Sequence, residues 1–324
     1  MSLQLKDIPF SFNASDVVKH IVSVDSRFRE PGASYTSSNF VFRLLAPIRN
    51  VLRVRITSIE LPNNYHIFSR YRRNVTFLLT FGGVTYTIVI PDGNYLADGD
   101  SGGMVNQLNE IIQSFAPWLT VYFNTNTGQF TFYANDSTNP PFSIDTACDG
   151  VTIDNGPCQP QYVTYDRQYD YGLGYNLGFS RGVHTSILDV SSTPFLVSDQ
   201  LAYFAGDPYV FLKINNFDCV RHTVSVTDTQ QKTKKNGFTA LAKIVIREPK
   251  DYMTFDDYAG HHAKEVTFPA PSDLSRFDIQ LLDPYGVQID MGSSQFSFSL
   301  EILEVRNLSL YNMIRDAFAT RWTL

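Results

Sequence analysis

Residues 51–61 read V-L-R-V-R-I-T-S-I-E-L, with Val54 and Ile56 on one parity and Arg53, Arg55 and Thr57 on the other. That alternation has the period of a half-buried β-strand and cannot line up one face of a helix. Residues 17–24 and 39–44 repeat the pattern, and β-branched and aromatic side chains fill it. Two hairpins follow from turn chemistry. Gly82-Gly83 joins 74–81 to 84–90, and a loop ending in Gly128 joins 118–123 to 129–133. Further strands are expected at 209–214, 238–247, 264–268, 276–282 and 295–305, with Asp283-Pro-Tyr-Gly286 a turn carrying Pro at its second position.

Helical spacing is scarce. Met104, Leu108, Ile111, Ile112 and Phe115 predict a helix over 101–115, capped by Asp100 or Ser101 and stopped by Pro117. Leu310, Met313, Ile314 and Phe318 predict a second one in the tail, 307–324. From about 140 to 170 no period is evident, and the segment reads as a surface connection. Short strands between turn signals imply a mainly β, antiparallel β-sandwich or barrel. The expected division is an N-terminal arm (1–16), a sandwich (17–306) with a helix-bearing insertion at about 84–145 and a long loop at 146–172, and the helical tail. A break near Gln161 separating two sandwiches is the rival partition.

Composition narrows the function. The chain has 324 residues, 18% of them charged, with a net charge of −6, which excludes global disorder and a generic polyanion binder. Twenty-five Phe and 18 Tyr stand against two Trp. Alternation assigns most Phe to the core, leaving the Tyr-rich stretch 162–175 as a local excess. No apolar run has the length of a signal segment or membrane span, and three Cys suit a reducing compartment, so synthesis in the cytoplasm is expected. The sequons at Asn13, Asn74, Asn135 and Asn307 then reflect composition rich in Asn, Ser and Thr.

No residue is nominated for catalysis, metal or cofactor. His261-His262 would point to opposite faces of a strand, and the other four His are scattered. Asp98-Gly-Asp-Ser-Gly-Gly103 opens like a calcium loop, yet Asn109 occupies the twelfth position where a bidentate Glu belongs. Gly174, Gly178 and Gly182 lack the strand-to-helix setting of a phosphate cradle, and Cys148 and Cys158 have no second pair for zinc. A glycosidase would need two spaced carboxylates, for which no motif speaks. The one charge feature is a run of arginines from Arg43 to Arg73 with a single acid, Glu60. Arginine suits bidentate pairing with carboxylates or phosphates. Arg49, Arg53, Arg55, Arg70, Arg72 and Arg73 are therefore the candidate partner-binding residues, together with Tyr162, Tyr165, Tyr169, Tyr171 and Tyr175. Equally, Arg53 and Arg55 would simply line the solvated face of a strand. Nucleic acid is not an expected partner of so acidic a chain.

An ordered series of motifs resembles the minor capsid proteins of large icosahedral nucleocytoplasmic DNA viruses. It runs through Ser23-Val-Asp-Ser-Arg-Phe-Arg29, Asn39-Phe-Val-Phe42, Ile48-Arg-Asn-Val51 and Val54-Arg-Ile-Thr-Ser-Ile-Glu-Leu-Pro-Asn63. It continues with Thr87-Ile-Val-Ile-Pro-Asp-Gly-Asn-Tyr95 and Phe123-Asn-Thr-Asn-Thr-Gly-Gln-Phe-Thr-Phe132. Leu177-Gly-Phe179, Val210-Phe-Leu-Lys-Ile-Asn-Asn-Phe217, Ala242-Lys-Ile-Val245, 274–286 and Phe296-Ser-Phe-Ser-Leu-Glu-Ile302 complete it, so that it spans roughly 17–305. The resemblance implies a jelly-roll-type β-sandwich without catalysis. It implies a cement role in the virion shell, with the major capsid protein and other minor capsid proteins as partners, and assembly in the host cytoplasm. Self-association and contact with an internal virion membrane are compatible with it. A pentameric vertex (penton) protein is the near alternative. From a different class, a carbohydrate-binding host-attachment module would use exposed Tyr and Asn loops.

Overall fold

A computed structural model describes residues 16–32, 35–98, 102–147, 171–215, 217, 220–227, 233–248, 252–256 and 265–312. The strands are β1 (Val17–Asp25), β2 (Asn39–Pro62), β3 (Thr76–Phe81), β4 (Val84–Val89), β5 (Leu119–Asn124) and β6 (Gln129–Ala134). They continue as β7 (Phe142–Asp145), β8 (Val183–Thr185), β9 (Ile187–Leu188), β10 (Pro194–Val197), β11 (Tyr209–Ile214) and β12 (Val220–Thr227). The last are β13 (Thr233–Ala240), β14 (Ala242–Val245), β15 (Met253–Asp256), β16 (Glu265–Leu282) and β17 (Ser297–Val305). Helix α1 (Met104–Gln113) follows β4, and the single turn α2 (Leu173–Asn176) precedes β8. The mainly β, antiparallel expectation holds.

The chain forms two compact units. Unit 1 comprises Met1–Tyr65, Tyr209–His222 and Gly237–Leu324; unit 2 comprises His66–Pro208 and Thr223–Asn236. The helix-bearing segment expected at about 84–145 lies within unit 2.

Unit 1 is built on one antiparallel sheet in the order β1-β17-β2-β16-β11-β14, with β15 also on β2. Val24 of β1 and Ile244 of β14, at the two ends of that order, belong to one buried cluster with Val54, Ile56, Ile279 and Ile302. The sheet curls around that cluster. β2 and β16 each merge two stretches that the sequence separates, and the physical reason is visible where they pair. Pro269 and Pro271 lack a ladder donor, and the register slips between Thr267 and Ser272. On the facing strand Asn50 takes φ 50° and its N–H donates to Asp273 Oδ1 at 3.0 Å. These are bulges inside long strands, not ends of short ones. At Asp283–Gly286 the expected turn forms: Asp283 Oδ1 accepts from Tyr285 and Val287 N–H, and Gly286 adopts φ 81°.

Unit 2 carries two four-stranded antiparallel sheets, β4-β3-β7-β8 and β5-β6-β10-β9. Both glycines of the Gly82-Gly83 turn have positive φ, 56° and 76°, as a two-residue hairpin requires. Phe77 packs edge-on to Phe132 (6.1 Å), and Phe132 to Phe179 (6.0 Å), in a buried cluster that α1 enters with Met104, Leu108 and Ile112. The helix starts at Gly103, not at Asp100 or Ser101. The Leu96 and Ala97 carbonyls accept its first N–H groups, so no side-chain cap is used. Asn109 clamps α1 to β5 by exchanging two hydrogen bonds with the Val121 backbone. Contrary to the loop reading from 140 onward, Phe142–Asp145 is a strand, buried on alternate residues. Of the long loop, 148–170 lies outside the described residues; of the tail, 308–312 is helical.

Candidate functional site

The arginines fall into both units. In unit 1, Arg55 lies directly opposite Glu301 across the β2–β17 ladder. The Glu301 carboxylate accepts from Arg53 at 3.1 Å and Arg55 at 3.3 Å, and Lys19 Nζ approaches to 3.8 Å. Glu265 on the other side of β2 adds a contact to Arg53 at 3.7 Å. Glu301 is buried, so these cations neutralise a carboxylate taken out of water. Arg53 and Arg55 therefore answer an acid of their own chain. Arg49 is exposed.

In unit 2 the turn from Ser69 to Asn74 is fixed by its own polar groups. Asn74 Oδ1 accepts from Ser69 N–H, and its amide donates to the Ile67 carbonyl. Arg73 sits at φ 58°. The turn sends Arg72 inward, where its buried guanidinium meets the partly buried Asp207 at 2.5 Å. Tyr171 is also buried and donates to the Arg72 carbonyl at 2.7 Å. Nearby, Tyr203 donates to the Gly206 carbonyl, and burial, helped by the Asp207 charge, holds its phenol above the usual range. Arg70 stays in solvent, 4.0 Å from Asp92. Tyr175 lies half-buried in α2, while Tyr162, Tyr165 and Tyr169, like His261 and His262, lie outside the described residues. Thus Arg72 and Tyr171 meet in one buried clasp, and of the six candidate arginines Arg49 and Arg70 are the exposed ones.

Two features escaped the sequence reading. Ser180, His184 and Asp199 gather beside β8: Ser180 Oγ donates to Asp199 at 2.9 Å, and His184 Nδ1 lies 3.4 Å from the same carboxylate. His184 Nε2 points at the Ser180 carbonyl, 2.8 Å away, so no ring nitrogen receives the Ser180 hydroxyl proton and the serine is not activated as a nucleophile. Among the described residues, no group of three His, Cys, Asp or Glu side chains could hold a metal ion.

The second feature is aliphatic. β1 and β14 are the edges of the unit 1 sheet, and β8 and β9 are edges in unit 2. Ile21 on β1 is 64% exposed, and on the β8–β9 segment Val183 is 66%, Ile187 and Leu188 are 61%, and Val190 is fully exposed. Leu45 on β2 stands equally free. Edges of soluble proteins are ordinarily blunted by charge or proline, and the β8–β9 stretch 183–188 contains no Lys, Arg, Asp, Glu or Pro. In sequence these aliphatics look like any strand residue, since alternation does not say which face is covered.

No family model matches the chain, and no curated protein matches it. Among solved structures it is similar to a chain of the Sputnik virophage seen by cryo-EM, with 13% identity over 91% of this chain and 99% of that one, at a TM-score of 0.38. It is also similar to the mavirus penton protein, with 8% identity over 90% and 99% of the two chains, at a TM-score of 0.39.

Proposed function

We propose that this chain is a structural minor capsid (cement) protein of a large double-stranded DNA virus, which links and stabilises major capsomers in the virion shell. The observation that carries the reading is the set of aliphatic side chains standing out on open strand edges in both units. Left in water, such edges invite pairing with other chains, and a shell supplies neighbours that cover them. The motif series behind the family resemblance supports the same reading, because its pieces coincide with strands and turns. Val54–Leu61 lies on β2, 123–132 is the β5–β6 hairpin, and 274–286 is the end of β16 with its turn.

In this role the chain performs no chemistry. Its partners are the major capsid protein and other minor capsid proteins, met through the strand edges, with Arg49 and Arg70 available to acidic surfaces. Mass spectrometry of purified virions, stripped of loosely held proteins, tests the proposal. The chain is expected to remain, and its absence would end the idea. A penton protein would use the same edges to contact copies of itself. Sedimentation of the purified chain separates the two, with a pentamer favouring the vertex and a monomer favouring cement.

A further inference from the structure

The outer face of the β4-β3-β7-β8 sheet carries four hydroxyls in one register row. Thr85 lies opposite Thr80, Thr80 opposite Ser143, and Ser143 opposite Thr185. The Thr80 and Thr85 hydroxyls bond each other at 2.9 Å. Those of Ser143 and Thr185 have no protein partner among the described residues. Thr80, Ser143 and Thr185 line a cleft of about 400 Å³, walled by the Gly82-Gly83 turn and by Pro140-Pro141. A Cβ built on either glycine would meet nothing within 4 Å, so the cleft is open past that wall.

Ligand class follows from what the lining contains and lacks. No lining side chain is ionisable, so a charged ligand would lose water without gaining a counter-charge. A wholly apolar ligand would cover the free hydroxyls and leave them unpaired. The chemistry that satisfies both conditions is neutral, offers hydroxyls that donate and accept as Ser and Thr do, and presents a C–H face to the proline rings. Size excludes a protein partner. Four strands span roughly 15 Å, and the four residues of β7 run roughly 13 Å along the strand, so the patch covers roughly 200 Å², well short of the roughly 800 Å² that each side of a stable protein interface covers. The volume falls at the lower end of small-ligand sites, roughly 300–1,000 Å³.

We propose that this cleft binds a neutral saccharide of one or two rings, with the Ser143 and Thr185 hydroxyls as its hydrogen-bonding groups. This goes beyond a shell role and does not depend on it. Saturation-transfer NMR on the full chain provides the test, with maltose, cellobiose and N,N′-diacetylchitobiose as probes and sialyllactose as the charged control. At least one neutral disaccharide is expected to receive saturation, and sialyllactose is not. The double variant Ser143→Ala, Thr185→Val keeps side-chain shape nearly unchanged and should bind at least tenfold more weakly with an unaltered thermal transition. Thr87→Val, two register rows away on β4, should bind as the unmodified chain does. Silence from all three neutral probes would overturn the proposal. So would undiminished binding by the double variant, an equal loss in Thr87→Val, or a sialyllactose signal matching the neutral ones.

Discussion

The two units solve the same problem, covering antiparallel strands, by opposite routes. In the unit 1 sheet no two neighbouring strands are consecutive in the chain, and β1 pairs along its whole length with β17. Unit 2 starts from local pairs, β3 with β4 across two glycines and β5 with β6 across a short loop. Turn chemistry states a local pair in a few residues, whereas a long-range pair is stated only by complementary burial far apart. Loop closure makes the second kind slower to form and more dependent on the rest of the sheet.

Core truncation gives the sharpest test of that contrast. Phe277→Ala in unit 1 and Phe77→Ala in unit 2 each empty a fully buried site and should cost about 4 kcal/mol. Hydrogen exchange should show lost protection throughout the unit 1 sheet for Phe277→Ala, and loss confined to unit 2 for Phe77→Ala. Uniform loss in both would erase the distinction. Charge pairs come next. Asp207→Ala leaves Arg72 buried without its carboxylate and should cost about 3 kcal/mol in urea unfolding. Glu301→Ala frees cations that are already partly in water, and about 1 kcal/mol is expected after solvent screening.

Glycines differ in a similar way. At Gly286 a Cβ would fall 2.8 Å from the Phe238 ring, at φ 81°, so Gly286→Ala should cost about 2 kcal/mol; at Gly83 the space is open and the positive φ alone should cost about 1 kcal/mol. Thermal unfolding would rank them. The smallest effect is acid sensitivity. Arg27 hydrogen bonds hold the Asp25 carboxyl in unit 1 below its usual range, and the Thr193 and Ser191 N–H groups do so for Asp189 in unit 2. Their stabilisation is present above the unfolded carboxylate value of about 4 and fades as pH falls toward the depressed folded values. Asp25→Asn and Asp189→Asn should each flatten the decline of Tm between pH 4 and 2.

Much of this architecture was legible. The alternation of β2, both hairpins, α1 and the Asp283–Gly286 turn follow from period and turn residues, which act within a few positions. What stayed hidden was long-range. Pro269 and Pro271 look like strand breakers until β2 and its Asn50 kink are seen beside them, and Phe142–Asp145 is too short to show a period. The arginine run was legible as charge but not as geometry. Nothing near Arg53 in the sequence announces Glu301, and nothing near Arg72 announces Asp207. The exposed aliphatics were invisible for the converse reason, since alternation marks a face without saying what lies against it.

The pairing of β1 with β17 also sets a clock. A ribosome adds about 5–20 residues per second, and β17 begins at Ser297, some way beyond the end of β1 at Asp25. The first strand therefore waits on the order of tens of seconds for its partner, and unit 2 can finish its hairpins in that interval. During synthesis Val22 and Val24 have no strand to pair with until β17 emerges, and β1 needs protection for that interval.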